Sequence, residues 1–205
     1  MAASPITFAL NHMTAPYLDD PELLSLAKQC GCDGVEFRND FSHRSLFGGR
    51  SPAEIRTLVE AEGLTVHALS ELKRFNNWTY ETRSDAEILA KTAKAIGAKA
   101  ISLIPVNDGT GCGNGERQAN LRIALRELKP ILEVYDLIGN VEPLGFELCS
   151  LRYKEDVADA IEALNARDRF RIIHDTFHHF LAGELLPIPK GFAEQSFTSA
   201  ESRFI

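Results

Sequence analysis

The segment Phe170–His179, FRIIHDTFHH, runs from a short β-branched apolar stretch directly into an Asp, a Thr, a Phe and two histidines. A strand that stops in Asp-x-x-His delivers a carboxylate, Asp175, and an imidazole, His178, to one spot, because positions i and i+3 of a turn share a side. That pairing suits a divalent cation (Mn²⁺, Mg²⁺, Co²⁺ or Zn²⁺) or a proton-transfer step. Upstream, Gly139–Glu142 ends in a carboxylate in the same way, so Glu142 reads as a metal ligand or general base, the alternative being an exposed acid at a strand end. His174 should point away from the side that Asp175 faces and reads as a packed core histidine. His179 reads as a surface residue or one that supports a ligand.

Other polar side chains sit at or near the ends of apolar runs. In Val35–Arg38, Val35 and Phe37 point one way while Glu36 and Arg38 point the other, toward something wet or functional. Glu36 and Arg38 are thus candidate substrate-binding residues, with an internal ion pair as the alternative. His67 in the third apolar run, Trp78 in the loop after it and Asn107 after the fourth run are further candidates. Trp78 offers a ring for a sugar to stack on, or simply packs. The Gly-x-Gly-x-Gly-x-Gly run from Gly109 to Gly115 precedes a helix but has neither phosphate-loop nor dinucleotide spacing, so it reads as a lid over the site rather than a phosphate cradle.

These residues need a scaffold that brings different strand ends together. Strands are expected over Ile6–Asn11, Val35–Arg38, Leu64–Ser70, Ala100–Ile104, Gly139–Glu142 and Arg171–His174. Asp20-Pro21-Glu22 places an N-cap and a first-turn proline before a helix to about Cys30. Ser51-Pro52-Ala53-Glu54 is a capping box, and Ser84-Asp85-Ala86-Glu87 reads as another, opening a helix to Ile96. A long helix begins near Glu116, with a kink or break at Pro130; a fifth spans about Lys154–Leu164, and a short one Phe177–Ala182. Strand and helix thus alternate six times, which implies parallel crossovers. Because the polar residues cluster at so many different strand ends, a (β/α) barrel fits better than an open doubly wound sheet.

A barrel of this kind has eight units in about 250 residues, whereas six are legible in these 205. The chain therefore divides into an incomplete barrel domain, 1–184, and an irregular tail, 185–205, with two prolines and no clear strand. Strands one and six would then expose unpaired edges, for which dimerisation is one remedy. With 44% hydrophobic and 25% charged residues the domain is globular, and a net charge of −7 disfavours nucleic acid and anionic membranes as partners. No stretch has the length of a membrane span and Met1–Pro5 lacks the features of a signal peptide, so a cytoplasmic location is expected. The four cysteines are scattered and read as reduced thiols.

The sequence resembles the xylose-isomerase-like TIM barrels, which include sugar and inosose isomerases, epimerases, inosose dehydratases and endonuclease IV. The resemblance rests on Gly34-Val35-Glu36-Phe37-Arg38, Val141-Glu142-Pro143-Leu144, His174-Asp175-Thr176-Phe177-His178 and the interval between the last two, over roughly residues 5–184. Glu142–Phe146 with Cys149–Arg152 looks most like the inositol-catabolism branch. The resemblance implies a divalent metal held by Glu142 and Asp175, His178 beside the oxygens of a small sugar or cyclitol, and isomerisation or epimerisation through an enediol. It also implies a histidine and a glutamate ligand from strands seven and eight, for which this sequence shows no counterpart. A non-catalytic barrel fragment or polyol-binding protein is accordingly the alternative. An inosose dehydratase or an endonuclease-IV-like phosphodiesterase follows behind, the latter disfavoured by the acidic balance.

Overall fold

In the computed structural model, which describes residues 6–113, 115–184 and 197–198, every long connection is a crossover between parallel strands. Strand β1 (Ala9–Asn11) leads through helix α1 (Asp20–Gln29) to β2 (Gly34–Arg38), and α2 (Pro52–Ala61) leads to β3 (Thr65–Lys73). Then follow α3 (Tyr80–Ala95), β4 (Ala100–Ile104), α4 (Glu116–Tyr135), β5 (Ile138–Val141), α5 (Lys154–Ala163), β6 (Phe170–Ile173) and α6 (Thr176–Ala182). The two-residue strand β7 (Phe197–Thr198) pairs parallel with β6; it falls in the segment read from sequence as an irregular tail, most of which lies outside the described residues.

The strands lie in the order of the chain, β1 to β7, all parallel. A doubly wound sheet reverses its strand order at a switch point, whereas a barrel adds each strand beside the last. The order is therefore that of a barrel wall, and among the described residues the sheet is open, with β1 and β7 at its edges.

Side-chain alternation explains how the wall is built. Val35 and Phe37 are fully buried against the helices, while Glu36 and Arg38 take the opposite face and are only partly covered. The helices contribute Leu23, Leu24, Ile55, Leu121, Leu125 and Leu128 to the same core, beside Ile101, Leu103, Val141 and Ile172 of the strands. Gly139 is part of this packing: a Cβ there would lie 2.9–3.0 Å from Phe170, Leu103 and Leu132 side-chain atoms. No helix among the described residues is long and apolar enough to cross a membrane. All four cysteines are free.

Several local expectations change. The N-cap of α1 is Asp19, paired reciprocally with Glu22, while Asp20 is buried and bonded to Arg44 (2.7 Å). The capping box at Ser51 and Glu54 is present. Ser84, by contrast, sits inside α3, which starts a turn earlier because the Thr79 hydroxyl accepts from the Thr82 amide at 3.2 Å. Pro130 neither breaks nor ends α4. Glu142 follows β5 rather than closing it, and β3 continues past Ser70 to Lys73.

The corrected cap carries a test. Thr79→Ala is expected to cost about 1 kcal/mol of stability, whereas Ser84→Ala in mid-helix should be neutral or slightly stabilising. Urea denaturation of the two variants measures both, and the opposite ranking would restore the later helix start.

Candidate functional site

Three ligating side chains meet beyond the ends of β5 and β6. One oxygen each of Glu142 and Asp175 and one ring nitrogen of His178 lie within 4.8 Å of one another. Glu142 enters as the residue immediately after β5, its amide donating to the Leu103 carbonyl at 3.1 Å. Asp175 is buried and caps α6, its Oδ1 accepting from the amides of Phe177 (2.7 Å) and His178 (3.1 Å). The cap fixes the first turn of α6, and that turn sets His178 beside the carboxylate.

Helix α6 buries none of its own side chains, so it is held by other means. Gly145 is one: a Cβ there would lie 2.3 Å from the His178 carbonyl oxygen and 2.7 Å from Leu181 Cβ, so only glycine lets the β5–α5 loop sit on this helix. The other is a polar clamp. The Lys154 amide donates to Glu184 Oε1 (2.7 Å), its buried ammonium pairs with Glu184 Oε2, and His179 Nδ1 lies 3.2 Å from the ammonium. His174 packs against His179 with ring centroids 5.0 Å apart. Both histidines are half-buried here beside Lys154 and Glu184, so His179 is a clamp residue.

The group is crowded with buried negative charge. Burial first, and then the negative charges of Asp175 and Glu36, push the Glu142 carboxyl up to about 8. Burial also lowers the proton affinity of His178, against the pull of Asp175, and its Nδ1 is buried with no hydrogen-bond partner among the described residues. Crowded carboxylates beside an unpartnered imidazole nitrogen fit a divalent metal.

Glu36 and Arg38 face this group from β2 but do not pair with each other. Glu36 Oε1 accepts from the hydroxyls of Ser70 and, at 3.1 Å, Ser102, which are themselves 2.8 Å apart. Arg38 forms a two-pronged bond to Asp40, both contacts 2.8 Å, and a third to Glu71 at 3.1 Å. Burial opposes its charge, but the Asp40 bond and the Glu71 and Glu36 carboxylates outweigh that and hold it protonated. Ser70, Ser102, Asp40 and Glu71 were missed from sequence. The β3 register shifts between Leu69 and Leu72, so Ser70 and Glu71, consecutive residues, both reach the inner face.

The remaining candidates separate. His67 packs on Gly34, the first residue of β2, with Lys99, Asp33 and Glu36 as its charged neighbours, so it stands nearer the start of the strands than Glu142 does. Trp78 is half-buried and packs against the hydrophobic core. Asn107 is exposed and lines a depression with Phe146, Glu147 and Leu148. The glycine loop is tied to the β5–α5 loop, the Gly109 amide donating to the Leu148 carbonyl at 3.0 Å.

Consecutive parallel strands with polar side chains converging beyond their C-terminal ends define a (β/α) barrel-type protein. Residues 24–201 match the xylose isomerase-like TIM barrel family, and the chain belongs to it. Among solved structures, a xylose isomerase domain-containing protein of Salmonella typhimurium is 31% identical with a TM-score of 0.81, over 95% of this chain and 68% of that one. The IolI protein with a bound zinc atom is 21% identical, TM-score 0.77, over 88% and 66% of the two chains. D-allulose 3-epimerase from a Methylomonas species is 13% identical, TM-score 0.69, over 98% and 75%. The chain thus spans about two thirds of the first two proteins. No curated protein sequence matches it.

The raised Glu142 carboxyl carries a stability prediction. The folded state holds this proton more tightly than the unfolded chain, so the contribution is fully present below the ordinary value of 4.5 and is lost as pH rises through about 8. The melting temperature of metal-free protein should fall across that window, and the fall should be shallower in Glu142→Gln. Equal slopes in the two proteins would mean that Glu142 titrates normally.

Proposed function

We propose that the protein is a divalent-metal-dependent isomerase or epimerase of a sugar or keto-inositol. The observation that carries this reading is the convergence of Glu142, Asp175 and His178 within 4.8 Å at the ends of adjacent strands. Zinc in the structure of IolI and the epimerase among the structural relatives are consistent with it. Glu142 and Asp175 would hold the cation, with His178 beside them, and the cation would supply Lewis acidity toward a carbonyl and its neighbouring hydroxyl.

The chain's own residues do the rest. Glu142, the carboxylate that follows β5, accepts the proton from the carbon that bears the hydroxyl. The electron pair of the broken C–H bond forms the C=C while the carbonyl π pair moves onto its oxygen, giving an enediolate. Return of the proton to the former carbonyl carbon, as the hydroxyl proton passes to the other oxygen, completes isomerisation; return to the opposite face of the first carbon, as the original carbonyl re-forms, completes epimerisation. His178 is placed to hold a substrate oxygen. Glu36, fixed by Ser70 and Ser102, faces the same space and orients hydroxyls.

A second reading has its own support: only three candidate ligands gather among the described residues, which suits a polyol-binding protein that does not turn its ligand over. Calorimetry with Mn²⁺ and solvent-exchange NMR in D₂O with a keto-inositol separate the two. Mn²⁺ binding is expected to weaken by at least about tenfold, roughly 1.4 kcal/mol, in both Glu142→Gln and Asp175→Asn. Deuterium should enter the ligand next to its carbonyl with wild-type protein only. Binding without exchange supports the second reading; Mn²⁺ binding indifferent to both substitutions contradicts both.

A further inference from the structure

We infer that the mouth selects an uncharged polyhydroxy carbonyl compound over its phosphorylated or carboxylated counterparts, an inference that rests on the proposed function and narrows it. The basis is an inventory, over the described residues, of the charges around the space above Glu142 and Asp175. Glu36, Glu71, Glu142 and Asp175 contribute four carboxyl groups, and Asp40 adds a fifth against Arg38.

Arg38 is the cation that would be expected to receive an anion there, and it is already committed. Its Nε and one terminal nitrogen each donate to an oxygen of Asp40, and the latter nitrogen also reaches Glu71. A planar guanidinium bound two-pronged to one carboxylate and bridged to a second presents no fork to a phosphate. Lys73 lies 3.7 Å from Glu71 but is largely exposed and so screened by water. One bound divalent cation leaves this lining net negative or close to neutral, and a dianionic phosphate would have to displace Arg38 from its carboxylates to find a partner.

One wall is suited instead to the C–H face of a polyol ring. Phe146 is 40% exposed, packs edge-on against His178 with centroids 5.1 Å apart, and meets Phe177 at 6.2 Å. Phe146 is therefore beside the imidazole that would touch a ligand oxygen, on a loop held in place by Gly145 and by the Arg152 guanidinium, which donates to the Gly145 carbonyl at 3.0 Å. An aromatic face next to a ring of acceptors binds a neutral ligand with alternating C–H and O–H surfaces.

The test is calorimetric titration of Mn²⁺-loaded protein with fructose, 2-inosose and fructose 6-phosphate at low and high salt. At least one of the two neutral compounds is expected to bind, and fructose 6-phosphate to bind at least about tenfold more weakly than it at low ionic strength. The gap should narrow at high salt and, by about threefold, in Glu71→Gln, which loosens one tie on Arg38 while keeping an acceptor there. Fructose 6-phosphate binding as tightly as the neutral ligands at low salt would overturn the inference and leave the proposed function standing. Mn²⁺ binding with no binding of either neutral compound would overturn both.

Discussion

The crowding of Glu142 and Asp175 is the constraint around which the rest of the structure is arranged. Two carboxyl groups with an imidazole, all within 4.8 Å and largely withdrawn from water, repel one another unless a proton or a cation lies between them. The raised Glu142 is the protein's metal-free answer to that repulsion. Parallel strand order brings the two acids together from separate crossovers, because β5 and β6 are direct neighbours and Glu142 and Asp175 lie one and two residues past the last positions of those strands.

Holding the third member, His178, is a separate problem. A seven-residue helix with no buried side chain has little intrinsic stability, so its position depends on what grips it. Asp175 grips the first turn as cap, Gly145 allows the preceding loop to lie against the helix backbone, and the Lys154–Glu184–His179 clamp ties its end to the start of α5. The charged clamp is almost wholly buried at Lys154, which makes it costly to break once formed. Asp175 thus serves the fold and the site with the same carboxylate.

The order of elements and the two acids were legible in the sequence because they rest on local signals. Apolar runs of four or five residues ending in a carboxylate, and glycines after amphipathic stretches, do not depend on distant contacts. The strand-two alternation that put Glu36 and Arg38 on the inner face holds in the structure. What was illegible came from irregular backbone and from long-range partners. Ser70 and Glu71 reach the same face only because the β3 register shifts, which no period-two reading anticipates. Arg38 was read beside Glu36 because they are close in sequence, yet its partners are Asp40 in the following loop and Glu71 on the next strand. The packing of His67 on Gly34 and of the half-buried Trp78 against the core likewise depends on contacts distant in sequence. Thr79 displaced Ser84 as cap because its hydroxyl accepts from the Thr82 amide and so starts the helix a turn earlier.

The most direct test of this account is the number of protons released when Mn²⁺ binds at pH 7, obtained by calorimetry in buffers of different ionisation enthalpy. If the cation takes the place of a proton trapped between crowded carboxyls, most of one proton should leave on binding, and Glu142→Gln should abolish the release. Release near zero in the wild type, or release unchanged in Glu142→Gln, would contradict the claim that Glu142 and Asp175 form a cation site.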